Sequence, residues 1–595
     1  MSSTATTHEE IDLDAIRDLY RVERDKRVRS DGLGQYADAE EGDFAYYAED
    51  PYTPREERES LTETVDVLVV GGGFGGLLTG ARLRQAGVQS LRILDRAGDF
   101  GGTWYWNRYP GAQCDIESYL YLPLLEQMGF MPSEKYVRQP EIHEYTQKLA
   151  RHFRLYEAAL FQTVVTDATW LESENRWRIE TDRGDVIDAR FVVMANGLLS
   201  RPRLPGIPGI TDFKGHTFHS SRWDYGYTGG TTLGGLDKLG DKKVGIIGTG
   251  ATAVQIVPHL AQGAEHLYVF QRTPSVISFR GNRPTDPSWA ESLKPGWQEE
   301  RLDNFMSIAS GGAPEEDLVD DGWTTAFKAL PSLISDSKIS PEEAEKRDYF
   351  EMERMRERIA SVVSDSETAA KLKPYYRFFC KRPCFHDEYL PTFNRDNVSL
   401  IDTDGRGVER ITETGVVVGG VEYELDCLVF ATGFESAEVS PRQAGFDPIG
   451  RGGLALSQKW NTEVRTLFGL QTNGFPNLFF LGITQGTLCP NFSNMLNEQS
   501  KQVAFVIEQC ISGEHVVVEP TLEGEADWVA TMEAANAEDS EFWDTCTPSR
   551  YNDDGDSTRK LPNRYQTQYG GGPKEFYEIL AAWRAEGTGK GLTFR

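Results

Sequence analysis

The stretch that decides the fold is Val65-Asp-Val-Leu-Val-Val-Gly-Gly-Gly-Phe-Gly-Gly76, an apolar run that leads into a glycine-rich turn. It places Gly71, Gly73 and Gly76 in the Gly-x-Gly-x-x-Gly spacing of a dinucleotide-binding turn. The first glycine permits the tight turn, the second lets the backbone approach a pyrophosphate, and the third brings helix and strand together. A helix over 77–85 should follow, with its free N–H groups facing the anion.

The residue at the end of the next strand also indicates that a dinucleotide binds at this turn. An apolar run over 91–94 ends at Asp95, where a carboxylate accepts hydrogen bonds from ribose hydroxyls. A carboxylate at this position disfavours a 2′-phosphate. The first site therefore predicts FAD or NAD and excludes NADP.

A second turn of the same kind begins about 175 residues later, in Val244-Gly-Ile-Ile-Gly-Thr-Gly-Ala-Thr-Ala. Gly248 and Gly250 keep the spacing, and Ala253 takes the third place. The strand that follows ends in Arg272 and Thr273, so a base and a hydroxyl replace the acid. Because a guanidinium pairs well with phosphate, we predict that the second site binds NADPH. The first site is then predicted to bind FAD.

These two units organise the chain as an α/β protein with two Rossmann-like dinucleotide-binding domains and a helical insertion. Charged helical patterns over 281–375, clearest at 342–358, predict that insertion. At the N-terminus we expect a helix formed by residues 11–27. The rest of the N-terminal segment is expected to lie as a strap across one domain. The predicted parts are an N-terminal extension over 1–60, the FAD-binding domain over 61–198 and 434–545, the NADP-binding domain over 199–280 and 376–433, the insertion over 281–375, and a C-terminal active-site loop and tail over 546–595.

Composition narrows the class of function. A chain of 595 residues predicts two or three domains, and a formal charge of −30 argues against nucleic acid or an anionic membrane as partner. The sequence has no run of about 18 apolar residues, and its seven scattered cysteines fit a cytoplasmic protein. Cys380, Cys384 and His386 lie close in sequence, but no second pair completes a metal site, so we expect no metal.

Two dinucleotide sites occur in disulfide reductases, amine oxidases and flavin monooxygenases. A disulfide reductase needs a pair of cysteines after the first turn, and this chain has the lone Cys114 there. The residues alone leave oxidases and monooxygenases open.

A longer motif between the two turns is more specific. Phe213-Lys-Gly-His-Thr-Phe-His-Ser-Ser-Arg-Trp223 resembles the Phe-x-Gly-x-x-x-His-x-x-x-Trp signature of type I flavin-dependent Baeyer–Villiger monooxygenases. The stretches 101–115, 380–383 and 431–434 are similar to that family's flavin-side, active-site and domain-return segments. The start and the end of the chain look most like the branch for large cyclic ketones, the cyclododecanone and cyclopentadecanone monooxygenases, and like pentalenolactone D synthases.

The resemblance implies an enzyme that uses NADPH, FAD and O2 to convert a ketone to an ester or lactone through a flavin C4a-peroxide. Arg382 would stabilise that anion, Asp115 would orient Arg382, and Lys381 would reach the NADP phosphate beside Arg272. The flavin-side segment would contribute Gly102, Thr103, Trp104 and Asp115 to the FAD site. The expected substrate is a bulky cyclic or polycyclic ketone, terpenoid ketones included.

Three further residues are singled out, two of them in the linker motif and one in the loop after Cys546. His219, in the linker between the nucleotide domains, and Trp223 are expected to be structural, and Tyr551 is placed over the substrate pocket. Two other functions remain to be distinguished. One is a flavin monooxygenase that oxidises sulfur or nitrogen, and the other is a nucleotide-sensing flavoprotein without turnover.

Overall fold

The computed structural model describes residues 12–39, 42–330, 339–435, 440–461, 463–487, 489–535, 540–555 and 568–595. Two largely parallel sheets dominate the architecture, and each carries one of the glycine-rich turns at the end of a central strand. The prediction of an α/β fold with two Rossmann-like units is therefore confirmed. The first eleven residues, where the expected N-terminal helix was to begin, lie outside the described part of the chain.

The first sheet is built around the strand Thr62–Val70, which contains the predicted apolar run. Val67, Leu68 and Val69 are fully buried, as expected for a parallel strand covered on both faces. The helix Phe74–Gln85 follows the turn. Across the sheet the order is Ala159–Leu160, Leu91–Leu94, Thr62–Val70, Val186–Met194, Arg176–Thr181 and Val165–Leu171, and Leu478–Phe480 also pairs with Val186–Met194.

The second sheet has five strands among the described residues, and all of its neighbours are parallel. Its glycine-rich turn joins the central strand to the helix Ala251–Gly263. Across the sheet the order is Val398–Asp402, His266–Gln271, Lys243–Ile247, Cys427–Phe430 and His216–His219. The chain thus enters this sheet at one edge and returns to it after a long excursion.

That excursion is helical, as the charge pattern predicted. Its helices are Pro287–Ser292, Trp297–Ala309, Gly322–Ala329, Pro341–Val362 and Ser366–Leu372. Phe305 and Phe327 pack with residues of the first nucleotide unit, including Phe74 and Leu78, in one buried cluster. The excursion therefore bridges the two units.

The N-terminal extension lies across the second unit. Its helix, Leu13–Asp25, packs on the helix Pro341–Val362, where Arg356 donates to the Tyr20 hydroxyl over 2.9 Å. The short strand Tyr36–Asp38 then pairs antiparallel with Arg203–Pro205. The expected strap is thus present, and it leads directly towards the second nucleotide turn.

The end of the chain returns to the first unit. The long helix Phe492–Ser512 packs on this unit, and Ser500 within it contacts Thr79 hydroxyl to hydroxyl over 3.0 Å. The later helices are Leu522–Ala535, Ser540–Thr545 and Gly572–Glu586, and the strand Leu592–Phe594 pairs with Val518–Pro520. No described helix combines the length and the apolar character needed to cross a membrane.

Candidate active site

A cavity of about 2090 Å³ lies at the carboxyl ends of the parallel strands of both sheets. This is the place where open α/β sheets bind their ligands. Of the fifteen site residues predicted from the sequence, thirteen line this cavity: Gly71, Gly73, Asp95, Gly102, Thr103, Trp104, Asp115, Gly248, Gly250, Arg272, Thr273, Lys381 and Arg382. Gly76 and Ala253 lie behind the wall, where each packs its helix against the adjoining strand.

The two glycine-rich turns have the same geometry. Gly71 and Gly248 have φ of 111° and 114°, and a Cβ at either would lie 2.4 Å from a backbone oxygen of the neighbouring strand end, Ala195 or Ala431. Only glycine fits there. At Gly250, by contrast, a Cβ would meet nothing within 4 Å, so the helix N-terminus behind it opens into the cavity.

Asp95 holds the first glycine-rich turn in place through hydrogen bonds. Its carboxylate accepts from the backbone N–H of Gly72 and, over 2.7 Å, from that of Ala97. Burial raises the pKa of Asp95, and these two hydrogen bonds oppose the rise. The turn also comes close to the flavin-side segment, because a Cβ at Gly102 would lie 2.7 Å from the Gly73 Cα. The flavin-side segment and the first glycine-rich turn therefore meet backbone to backbone at this end of the cavity.

Trp104 and Thr103 stand next to Gly102 in the short helix Thr103–Trp106. The indole N–H of Trp104 donates to the Tyr121 hydroxyl over 2.8 Å, and the Trp104 ring is largely buried. Trp104 therefore forms a fixed wall of the cavity.

Arg272 and Lys381 form the cationic end of the cavity. Arg272 donates from Nη1 to Gln35 Oε1 over 2.7 Å, and its Nη2 lies 3.4 Å from Asp554 Oδ1. Burial, with repulsion from Arg272, lowers the pKa of Lys381 to about 8. Thr273 lines the cavity beside Arg272, and its buried hydroxyl makes no hydrogen bond among the described residues.

Arg382 and Asp115 meet as predicted, although 267 positions separate them. Arg382 Nη2 lies 2.6 Å from Asp115 Oδ1, and the guanidinium carbon is 5.6 Å from the centre of the Trp323 ring. The Asp115 side chain is 10% exposed and that of Arg382 is 34% exposed, so the cation faces the cavity and the acid lies behind it. Burial opposes the charge, but Asp115 outweighs it, and the pKa of Arg382 is raised.

The cysteines near the cavity are buried thiols or a disulfide. Cys114 is buried and free, and burial raises the pKa of its thiol to about 12, so it stays protonated. Cys380 is bonded to Cys546 in a disulfide, which removes it from any ligand set with Cys384 and His386. Scattered cysteines did not predict this pairing, because its partners are 166 positions apart.

His219 and Trp223 support the linker, as expected. His219 is fully buried, with its ring nitrogens at 2.8 Å from Ser221 Oγ and 3.1 Å from the Gly433 carbonyl. Burial lowers the pKa of His219 to about 3, so the ring stays neutral. Trp223 donates to Thr228 Oγ1 over 3.1 Å. Tyr551 lines the cavity.

Sequence reasoning missed several groups of the cationic end. Gln35 comes from the N-terminal extension, Arg203 from the strand Arg203–Pro205, and Asp554 from the C-terminal segment. None belongs to a motif, and only the folded chain brings them to Arg272. The aromatic wall beside Arg382, formed by Trp323, Phe327 and Phe379, was missed for the same reason.

The cavity fits two dinucleotides. Both glycine turns leave backbone space for a pyrophosphate, the first turn has a carboxylate at the next strand end, and the second has two cations there. The residues present thus suit FAD at the first unit and NADPH at the second.

Comparisons with known proteins agree with this geometry. The family described as pyridine nucleotide-disulphide oxidoreductase matches residues 68–310. Neopentalenolactone D synthase of Streptomyces avermitilis is 52% identical over 583 residues, covering 96% of this chain and 98% of the relative. The structure of a polycyclic ketone monooxygenase from Thermothelomyces thermophila superposes with a TM-score of 0.92 at 38% identity, covering 98% and 99% of the two chains. The OTEMO complex with FAD and NADP superposes with a TM-score of 0.73 at 29% identity, covering 89% and 99%.

Proposed function

The chain belongs to the flavin-dependent Baeyer–Villiger monooxygenases, and from that premise we propose that it converts a bulky polycyclic ketone to a lactone at the Arg382–Asp115 pair. The enzyme uses FAD and NADPH. FAD, reduced by NADPH, supplies the activation of O2 when it is bound. The residues of this chain bind the cofactors and the ketone, orient them, and exclude water from the site.

The Arg382–Asp115 pair is the observation that carries the proposal. A guanidinium is permanently charged and weakly hydrated, and here it faces a cavity where a fixed charge acts more strongly than in water. It suits the stabilisation of negative charge on the reacting oxygen and on the ketone carbonyl. Asp115 acts as a positioning residue, because its 2.6 Å contact fixes the orientation of the guanidinium.

The wall beside Arg382 supports a large apolar substrate. The rings of Trp323 and Phe327 stack with centres 5.7 Å apart, and those of Phe327 and Phe379 with centres 5.9 Å apart. All three line the cavity, and together they form an apolar aromatic wall against which a fused-ring hydrocarbon can pack. Relatives named for pentalenolactone D and for polycyclic ketones point to the same size class.

The two other candidate functions make different demands on the residues of the site. A monooxygenase that oxidises sulfur or nitrogen has no need of the fixed cation at Arg382, and a nucleotide sensor needs no aromatic wall. We therefore favour ketone oxidation, with Arg272 and Lys381 holding the phosphate of NADPH.

Product analysis tests this proposal. The FAD-loaded enzyme is given NADPH, O2 and one of three compounds: a fused-ring ketone, cyclohexanone, or a thioether. Mass spectrometry should show the fused-ring ketone gaining one oxygen atom fastest, in a product that alkali opens to a hydroxy acid. Faster oxidation of the thioether, or equal rates on small ketones, would contradict the proposal.

A further inference from the structure

A buried carboxylate lies at the cationic end of the cavity, where the phosphate of NADPH is expected. Asp554 is 4% exposed and belongs to the C-terminal segment 546–555, which begins at the disulfide with Cys380. Burying a carboxylate is costly unless cations pair with it. The reason for its burial must therefore lie in its partners.

Its partners are two arginines from different elements. Arg203 Nη1 lies 2.9 Å from Asp554 Oδ2, and Arg272 Nη2 lies 3.4 Å from Oδ1. Lys381, the third cation here, has no ion-pair partner within the described ranges, and Asp554 opposes the lowering of its pKa. Asp554 is thus the counter-ion of the site.

The two ion pairs of Asp554 differ in length and in the exposure of the arginine. The Arg203 pair is short and closed, with the Arg203 side chain 8% exposed and its guanidinium stacked 4.3 Å from the centre of the Tyr36 ring. The Arg272 contact is longer, and the Arg272 side chain is 29% exposed towards the cavity. Arg272 is therefore the partner that an incoming anion reaches, while Arg203 keeps the carboxylate in place.

The backbone of the turn that carries Asp554 has an uncommon conformation. Asp553 and Asp554 have φ of 50° and 55°, the left-handed region that side chains other than glycine seldom adopt. Hydrogen bonds from Asp554 N–H to Ser549 O and from Gly555 N–H to Asn552 O, both 2.8 Å, hold the turn. The turn thus directs the Asp554 carboxylate to two arginines at the cationic end of the cavity, with Lys381 within its electrostatic reach.

We propose that Asp554 is a specificity-determining residue that competes with the 2′-phosphate of NADPH for Arg272. Without the nucleotide, the carboxylate holds Arg272 at the cavity wall. The phosphate takes over the Arg272 contact, and Asp554 remains on Arg203. The carboxylate thereby weakens the binding of the phosphorylated nucleotide, which favours release of NADP⁺ after turnover. This inference rests on the proposed role of Arg272 as a phosphate ligand.

Nucleotide binding without turnover tests the proposal. Calorimetry on FAD-loaded protein gives dissociation constants for NADP⁺ and NAD⁺ in the wild type and in Asp554→Asn, which keeps the shape and an oxygen for Arg203. Removing the negative charge should tighten NADP⁺ binding on the order of tenfold and leave NAD⁺ within about twofold. Asp241→Asn, which removes an exposed carboxylate outside the cavity, should have little effect on either.

The outcomes separate this inference from its premise. Unchanged or weaker NADP⁺ binding in Asp554→Asn, or equal tightening of NADP⁺ and NAD⁺, overturns the competition. Arg272→Ala tests the premise, since it should weaken NADP⁺ about ten- to a hundredfold and leave NAD⁺ nearly unchanged. If Arg272→Ala weakens both equally, the assigned phosphate site is wrong, and the competition with it. Neither result depends on the identity of the ketone.

Discussion

Lys381 lies in a poor environment for an ammonium group, and its titration offers a test at the scale of single residues. Its pKa is lowered to about 8 by burial and by Arg272, against Asp554. The other groups that act on it are Arg27 and Cys384, and burial raises the pKa of the Cys384 thiol to about 12. Between about pH 7 and 10 the Cys384 thiol therefore stays protonated while Lys381 loses its charge.

Because a phosphate attracts the ammonium and not the neutral amine, NADP⁺ affinity should fall as the pH rises through about 8. The loss should approach tenfold for each pH unit, while NAD⁺ affinity stays nearly flat. Calorimetry at several pH values measures both. Lys381→Arg keeps its charge throughout this range and should abolish the slope. An unchanged slope in Lys381→Arg would assign the titration to another group.

Single residues were predictable from the sequence where a motif fixes their place. Asp95 and Arg272 follow strands that begin a fixed distance after a glycine turn, so their position on the cavity wall could be inferred. Gln35 and Asp554 lie 237 and 282 positions from Arg272, and no local pattern links them to it. Their role depends on tertiary packing, which sequence periodicity does not report.

At the scale of elements, the disulfide joins two segments of the active site. Cys380 directly precedes Lys381 and Arg382, and Cys546 begins the segment that carries Asp554. A cross-link over 166 positions restricts the unfolded chain, and its loss should destabilise the protein by about 2–4 kcal/mol. The paired change Cys380→Ser and Cys546→Ser should therefore lower the melting temperature by several degrees.

The control for this prediction is Cys384→Ser, which alters a buried free cysteine on the same segment. Dithiothreitol should lower the melting temperature of the wild type and of Cys384→Ser, but not that of the paired variant. Alkylation of the unreduced, denatured wild-type protein should label five cysteines. Labelling of all seven would show that the disulfide is absent.

Helices and strands were predicted well where the hydrophobic period is strong. The predicted helix over 342–358 lies within Pro341–Val362, and the strand 91–94 is found as Leu91–Leu94. Short elements were missed, such as the pairing of Tyr36–Asp38 with Arg203–Pro205. A three-residue strand carries too little pattern to be recognised, and its partner strand supplies the hydrogen bonds that define it.

At the scale of the whole molecule, the charge distribution fits an anionic ligand. The chain has 62 basic and 92 acidic residues, yet nine Lys and Arg against seven Asp and Glu line the cavity. The excess of acid thus lies elsewhere on the protein, which keeps the field at the cavity from repelling dinucleotides. The net charge of the sequence argues against polyanionic partners, but the local reversal of sign became visible only in the fold.

The central claim is that Arg382 is the cation on which ketone oxidation depends, and one measurement tests it most directly. FAD-loaded Arg382→Ala is given NADPH, O2 and a fused-ring ketone, and lactone and hydrogen peroxide are quantified together. Arg406→Ala, at another arginine of the cavity wall, serves as the control. The account predicts that Arg382→Ala retains FAD, oxidises some NADPH with release of hydrogen peroxide, and forms lactone about 10²–10³ times more slowly. Lactone formation at a near wild-type rate in Arg382→Ala would contradict it.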